Sequence, residues 1–203
     1  IAARYPDKVG YTNMDCGLTY SRTAALTKEL AAYLQSLGLK PGDRVAIMMP
    51  NLLQYVIAMY ACLRAGYIVV NINPLYTSRE VNGTLRDSEA KAIIIIENFA
   101  KTLQNALPGT KCEHIITTAV GDLFPFFKRT LVNFVVRKVK KMVPEYSLPN
   151  AVGFNEALEI GRRHGFTAHE IHNTDIAFLQ YTGGTTGVAK GAILTHRNLL
   201  ANL

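Results

Sequence analysis

Cysteine is scarce in this sequence, with three among 203 residues and no C-x-x-C pair. That scarcity excludes a disulfide-stapled secreted domain and indicates a reducing compartment. Long apolar runs are lacking too. The best candidate, 52–70, contains Gln54 and Arg64, whereas a membrane span needs about 20 nearly uninterrupted apolar residues. We therefore predict a buried helix over 52–63 and a buried strand over 67–70.

The sequence also lacks internal repeats, low-complexity tracts and a signal-peptide pattern at its start. Apolar residues make up 49% and charged residues 18% of the chain, which excludes disordered, collagen-like and coiled-coil proteins. The chain begins at Ile1 and stops at Leu203, within a run that reads as an unfinished helix. We expect a fragment of a longer protein.

Four short apolar runs alternate with helical patterns. Their apolar residues are continuous, which is typical of strands buried on both faces of a parallel sheet. The fold class predicted is α/β, with parallel-sheet βαβ units and helices on both faces. The predicted strands are 44–49, 67–70, 92–96 and 114–118.

Helix and turn signals complete this outline. Leucines at three- and four-residue spacing predict a helix over Thr23–Leu37. Asn51 and Ser78 are the predicted N-caps of the next two helices. Asp15-Cys16-Gly17 predicts a hairpin turn between short strands in the first 20 residues.

Acidic residues are absent from 123–144, called the basic segment below, and six of the seven net positive charges lie there. A diffuse nucleic-acid-binding face is therefore not expected. On a helical wheel the segment is amphipathic, with Arg129, Asn133, Arg137, Lys140 and Lys141 on one side and most apolar residues on the other. Two interpretations stay open: a helix on an anionic membrane, or a surface helix whose apolar side packs on the sheet and whose basic side is solvated.

A run of small residues is the strongest functional signal. Glycine permits positive φ, successive N–H groups in such a turn bind anions, and Lys190 supplies a charge for phosphate oxygens. The pattern predicts a polyphosphate cradle between strands 176–181 and 191–194; a plain hairpin connection is the alternative. The run reads Tyr181-Thr182-Gly183-Gly184-Thr185-Thr186-Gly187-Val188-Ala189-Lys190-Gly191.

Two well-known phosphate loops do not fit this run. A Walker A loop would need glycine where Val188 stands, and G-x-G-x-x-G fails because Thr185 follows Gly184. The next helix begins only after Thr195, its predicted N-cap. His196, in the first turn of that helix, is a candidate substrate-facing residue because it follows the loop closely.

The run resembles the signature loop of the adenylate-forming superfamily, whose members include acyl-CoA synthetases, luciferases and peptide-synthetase adenylation domains. It departs from the commonest form at Gly183, usually Ser, and at Ala189, usually Pro; both changes keep the loop small. The likeness extends from about residue 10 to the end. With the basic segment, it is most similar to the N-terminal part of a bacterial long-chain fatty acid–CoA ligase. The other stretches that carry it are 18–20, 37–46, 63–66 and 71–76.

The resemblance implies a domain plan. Residues 1–203 would be part of the large N-terminal AMP-binding domain, with a basic amphipathic insertion at 123–150 and a strand–phosphate loop–strand unit at 176–194. The later motifs for adenine, ribose and Mg²⁺, and the C-terminal domain, would lie beyond Leu203. The fragment alone is then expected to be inactive.

The resemblance also implies a two-step reaction with ATP, Mg²⁺ and coenzyme A. A fatty carboxylate attacks the α-phosphate of ATP, giving acyl-adenylate and pyrophosphate, and the coenzyme A thiol then takes the acyl group. Lys190 and Thr185 are the implied catalytic residues, since they would stabilise phosphate charge during adenylation. No metal ligand is assigned. The implied nucleotide-binding residues are Tyr181, Thr182, Gly183, Gly184, Thr185, Thr186, Gly187, Val188, Ala189, Lys190 and Gly191.

The implied partners are a fatty acid, ATP and coenzyme A, in a cytoplasmic enzyme. Contact with the inner membrane through 123–144 and a homodimer stay open, and no nucleic acid is expected. Two other functions are alternatives: a non-catalytic membrane-binding module, or a sibling acid–thiol ligase for shorter or aromatic acids. Residues 161–165 are predicted to form a loop. His164, His169, His172 and Glu170 match no well-defined zinc motif, so a solvated loop is favoured there.

Overall fold

The computed structural model describes residues 1–182 and 190–201, with the backbone alone at 182 and 190. The strands are β1 (Val9–Asn13), β2 (Cys16–Thr19), β3 (Arg44–Met48), β4 (Ile68–Asn71), β5 (Ala92–Ile96), β6 (His114–Thr118), β7 (Val152–Gly153), β8 (Ile176–Thr182) and β9 (Lys190–Thr195). The α-helices are α1 (Tyr20–Ser36), α2 (Leu53–Arg64), α3 (Ser78–Ser88), α4 (Ala100–Ala106), α5 (Phe126–Phe134), α6 (Phe154–His164) and α7 (His196–Leu200).

Within the described residues, one sheet holds seven strands in the order β7-β6-β5-β3-β4-β8-β9. Its neighbours run parallel, except for β8 and β9, which are antiparallel. The predicted class, α/β with parallel βαβ units, is confirmed. Strands β5 and β6 have the predicted bounds, β3 ends one residue earlier and β4 is shifted by one.

Helices cover both faces of this sheet, as predicted. On one face, α1, α2 and α6 pack on side chains such as Ile47 and Ile94. On the other, α3 and α4 pack on Met48 and Ile93. Every residue of β5 is buried, because side chains on both sides of that strand meet helices. This explains the continuous apolar pattern.

Two predicted N-caps are wrong by one residue. The cap of α3 is Thr77, not Ser78: the Thr77 hydroxyl accepts from the Glu80 backbone N–H, and the Glu80 carboxylate accepts from the Thr77 N–H. This capping box needs Glu three residues after the cap, a spacing that Thr77 has and Ser78 lacks. Helix α2 starts one residue later than predicted, so its N-cap position is Leu52 rather than Asn51, and no side chain caps it.

The first hairpin turns earlier than predicted. Met14 and Asp15 both have positive φ, at 47° and 58°, and Asn13 pairs with Cys16 across the turn. Such a pair of left-handed residues is typical of tight two-residue hairpins. Cys16 and Gly17 therefore belong to β2. Helix α1 also begins earlier than predicted, after Thr19, whose hydroxyl accepts from the Arg22 N–H.

Within the predicted loop 161–165, residues 161–164 are instead the last turn of α6, and Gly165 follows as its C-cap with φ of 79°. The reason is the contact between α6 and α1. A β-carbon on Gly161 would lie 1.9 Å from the Glu29 carbonyl oxygen. Gly161 is therefore required in the helix, because any side chain would push the two helices apart.

Candidate functional site: the carboxyl edge of the sheet

A pocket of about 370 Å³ opens where three neighbouring parallel strands end. Its polar walls come from Asn51 after β3, Asn71 and Asn73 at the end of β4, and Gln180 and Tyr181 in β8. After β4 the chain crosses to β5 on the other side of β3, so the strand order reverses here. Open α/β sheets bind ligands at such a carboxyl edge.

Hydrogen bonds hold the polar side chains of this pocket. The Tyr55 hydroxyl donates to Asn71 Oδ1 at 3.1 Å, and Asn71 Nδ2 donates to Gln180 Oε1 at 3.0 Å. The chain of bonds joins α2, β4 and β8. Burial raises the pKa of Tyr55, and the bond to Asn71 offsets part of that rise. The hydroxyl therefore stays a neutral donor near neutral pH.

The described lining of this pocket carries no charged side chain. It offers amides, phenols and apolar groups. A charged ligand held here would therefore find its counter-charge elsewhere, and Lys190, opposite Thr182 in the β8–β9 ladder, is the nearest lysine along that hairpin. Sequence reasoning missed Tyr55, Asn71 and Gln180. The available signal was polar residues at the ends of otherwise apolar strands.

The predicted nucleotide-binding run spans the connection between β8 and β9. Tyr181 pairs with Gly191 and Thr182 with Lys190. Tyr181 lines the pocket, and its ring lies against Gly191, where an added β-carbon would be 3.1 Å from the ring. Seven predicted residues lie outside the described residues, as do the side chains of Thr182 and Lys190: Gly183, Gly184, Thr185, Thr186, Gly187, Val188 and Ala189.

His196 does not belong to this pocket. It is the first residue of α7, capped by Thr195 as predicted. Strand β9 runs antiparallel to β8, so His196 lies at the opposite edge of the sheet, where its N–H donates to the Asp175 carbonyl. His196 is a first-turn helix residue, as expected, and the length of β9 separates it from this pocket, so the candidate substrate-facing role is not met there.

The histidines at 164, 169 and 172 do not converge with acidic side chains. His164 ends α6, and His169 lies against Gly66. In the part of the chain that the structure covers, no group of three or more His, Cys, Asp or Glu side chains could hold a metal ion.

The basic segment projects its apolar side into solvent. It forms α5, continued by a π-helical turn over Val135–Val139. The interpretation that its apolar side packs on the sheet is wrong. We call six of its side chains the apolar row, and they are between 56% and 86% exposed: Phe126, Phe127, Leu131, Phe134, Val139 and Met142.

Polar side chains attach this segment to the body of the protein. Arg137, predicted on the solvated side, donates from Nε and Nη2 to the Glu97 carboxylate at 2.7–3.0 Å, and Glu97 is 4% exposed. Asn133 accepts from the Gly121 N–H and donates to Asp122. Lys128 donates to the Met14 carbonyl. These hydrogen bonds orient the helix together with Val132, which packs against the core, while the apolar row stays exposed.

No helix among the described residues is both long enough and hydrophobic enough to cross a bilayer. Helix α2, from the sequence stretch with the most apolar residues, packs in the core as predicted.

Known proteins share this architecture. A family model described as AMP-binding enzyme matches residues 1–203. The chain is 54% identical over 203 residues to a long-chain-fatty-acid–CoA ligase of Salmonella typhimurium and 39% identical over 202 residues to one of Bacillus subtilis. It spans 36% of the length of each of these relatives.

Solved structures agree on the fold. A long-chain-fatty-acid–CoA ligase from Archaeoglobus fulgidus matches with a TM-score of 0.74 and 26% identity, over 99% of this chain and 36% of that one. An anthranilate CoA ligase in complex with anthranoyl-AMP matches with a TM-score of 0.74 and 22% identity, over 96% of this chain and 33% of that one. The second likeness is one of fold alone.

Proposed function

Because the chain belongs to the family of AMP-binding enzymes, we propose that the protein is an ATP-dependent long-chain fatty acid–CoA ligase and that these residues are part of its AMP-binding domain. The observation that supports this proposal most strongly is the 54% identity, over the whole chain, to a long-chain-fatty-acid–CoA ligase. The more distant Bacillus subtilis relative is also a long-chain-fatty-acid–CoA ligase.

The proposed reaction has two steps. The fatty carboxylate attacks the α-phosphate of ATP and releases pyrophosphate, and the acyl group then passes to the thiol of coenzyme A with release of AMP. The run 181–191 would hold the triphosphate. Thr185 would donate a hydrogen bond and Lys190 a positive charge to the departing pyrophosphate, because charge accumulates there in the transition state.

The position of the hairpin supports this assignment. Strand β8 ends at the carboxyl edge of the sheet, beside the pocket, and the run continues directly from it. The described pocket residues offer no carboxylate, the group through which proteins usually bind Mg²⁺. We therefore assign no Mg²⁺ ligand here and propose that Mg²⁺ enters with the phosphates of ATP.

The function is tested by exchange of labelled pyrophosphate into ATP, with the full-length protein and straight-chain acids of different lengths. We expect exchange that depends on a long-chain fatty acid, and release of AMP when coenzyme A is added. Exchange only with short or aromatic acids would assign the protein to a sibling acid–thiol ligase. No exchange with any acid would overturn the proposal.

We also propose that this enzyme rests on an anionic bilayer through the basic segment. The apolar row is exposed beside Lys138, Lys140 and Lys141, which are exposed too, and no acidic residue lies between 123 and 144. Each such cation contributes about 1 kcal/mol near an anionic surface. Since Arg137 is paired with Glu97, it is not counted among them.

Sedimentation of the full-length protein with vesicles tests this contact. We expect binding to phosphatidylglycerol-containing vesicles, little binding to phosphatidylcholine alone, and loss of binding in the double variant Phe127→Ser/Leu131→Ser. Salt should weaken the contact, because screening acts on the lysines.

Charge and assembly need separate controls. Replacing Lys138, Lys140 and Lys141 by Ala should abolish binding, whereas the same loss of charge at the exposed residues Lys28, Lys101 and Arg163 should not. Unchanged binding of the first variant would contradict the proposal. So would a dimer in solution that is lost in Phe127→Ser/Leu131→Ser, since a second copy would then cover the apolar row.

A further inference from the structure

The hydroxyl of Tyr181 is attached to a helix distant in sequence. It donates to Asp87 Oδ2, in the last turn of α3, at 2.5 Å. Tyr181 is 7% exposed. Burial and the neighbouring Asp87 carboxylate raise the pKa of this tyrosine, so it stays protonated and able to donate. The bond links the end of β8 to a helix about a hundred residues earlier.

The other strand of the hairpin meets the same ring. Gly191 pairs with Tyr181 in the ladder, and a β-carbon there would lie 3.1 Å from Cζ of the ring. The ring thus packs on bare backbone of β9 while its hydroxyl reaches α3. Tyr181 therefore couples both strands of the hairpin to one helix.

These contacts lie at the two ends of the run 182–190. A connection between two strands places its residues for a ligand at a lower entropic cost when both of its ends are fixed in advance. One hydrogen bond and one ring contact join these two ends to α3, in addition to the ladders that pair β8 with β4 and with β9.

Resting on the proposed function, we infer that Asp87 is a positioning residue for ATP: its carboxylate orients Tyr181 and so sets the two ends of the triphosphate-binding run. Asp87 is exposed and does not line the pocket, so it acts through Tyr181 rather than on the substrate. Its effect should fall on nucleotide binding more than on turnover.

Steady-state kinetics of the full-length protein test this role. We expect Asp87→Ala and Tyr181→Phe each to raise KM for ATP about fivefold to tenfold, the effect of one lost hydrogen bond. In Asp87→Ala, kcat and KM for the fatty acid should change less than twofold. Asp87→Asn should restore most of the affinity, because its amide oxygen still accepts the bond. The double variant should be no worse than either single one, since both remove the same contact.

The matched control is Glu113→Ala, which removes an exposed carboxylate elsewhere and should leave KM for ATP unchanged. An unchanged KM for ATP in Asp87→Ala would overturn the inference. So would a lower kcat together with a similar increase in the KM of every substrate and a lower unfolding temperature, since that pattern indicates a general structural defect. If the unmodified protein shows no fatty acid-dependent exchange, the proposed function fails instead. Calorimetric ATP affinity of the same variants then decides the role of Asp87.

Discussion

The carboxyl-edge pocket and the basic segment distribute polar and apolar groups in opposite ways. At the pocket, apolar side chains pack inward on both faces of the sheet, and amides and phenols remain at the opening. In the basic segment, Asn133 and Arg137 contact the body of the protein while the apolar row faces solvent. The lesson is that amphipathicity predicts two sides of a helix but not which side meets the protein, because a few charged hydrogen bonds can determine that orientation.

The largest effect expected from this comparison concerns two leucines. Leu85 in α3 is fully buried under the sheet, whereas Leu131 in the apolar row is 63% exposed. Leu85→Ala should lower the free energy of unfolding by about 2–5 kcal/mol, through lost burial and a cavity. Leu131→Ala should change it by less than about 0.5 kcal/mol. Urea denaturation measures both, and an equal loss would mean that the apolar row is packed in solution.

The next effect concerns the attachment of the basic segment. Arg137→Ala leaves the Glu97 carboxylate buried without its partner. Because the arginine itself is about half exposed, we expect a loss of about 1–3 kcal/mol, less than for a fully buried pair. Lys138→Ala, one residue along and exposed, is the control and should be neutral. If both variants unfold alike, the ion pair does not hold the segment.

The smallest effect concerns the pocket wall. Tyr55→Phe removes the donor to Asn71 Oδ1 but keeps the ring. We expect a loss of about 1 kcal/mol in the free energy of unfolding, the usual worth of one neutral hydrogen bond. Tyr5→Phe, at an exposed tyrosine outside the pocket, is the control. A neutral Tyr55→Phe would show that water replaces this bond without cost.

The sequence predicted the sheet strands closely, because burial on both faces leaves a continuous apolar pattern that needs no partner information. The prediction failed where contacts between residues distant in sequence determine the local structure. Gly161 was predicted to lie in a loop. The contact that requires a glycine there is with the backbone of Glu29, about 130 residues away in sequence, and no local pattern indicates it. Arg137 read as solvated because Glu97 was not visible as its partner.

The candidate site divides in the same way. Tyr181 and Gly191 followed from a motif, and the structure places both where β8 ends. Asn71 and Gln180 carried one local signal, as polar residues near the ends of apolar strands, but Tyr55 and Asp87 carried none, since each acquires its place through contacts with elements distant in sequence. His196 was a candidate substrate-facing residue because it is close to the run in sequence. The extended strand β9 places it at the opposite edge of the sheet from the pocket.

The proposed function depends on the run between β8 and β9 holding the triphosphate of ATP. Its most direct test is pyrophosphate exchange by the full-length protein carrying Lys190→Ala or Thr185→Ala, with the exposed Lys101→Ala as the control. We expect exchange to fall about a hundredfold in Lys190→Ala and less in Thr185→Ala, and to stay normal in Lys101→Ala. Unchanged exchange in both loop variants would contradict it.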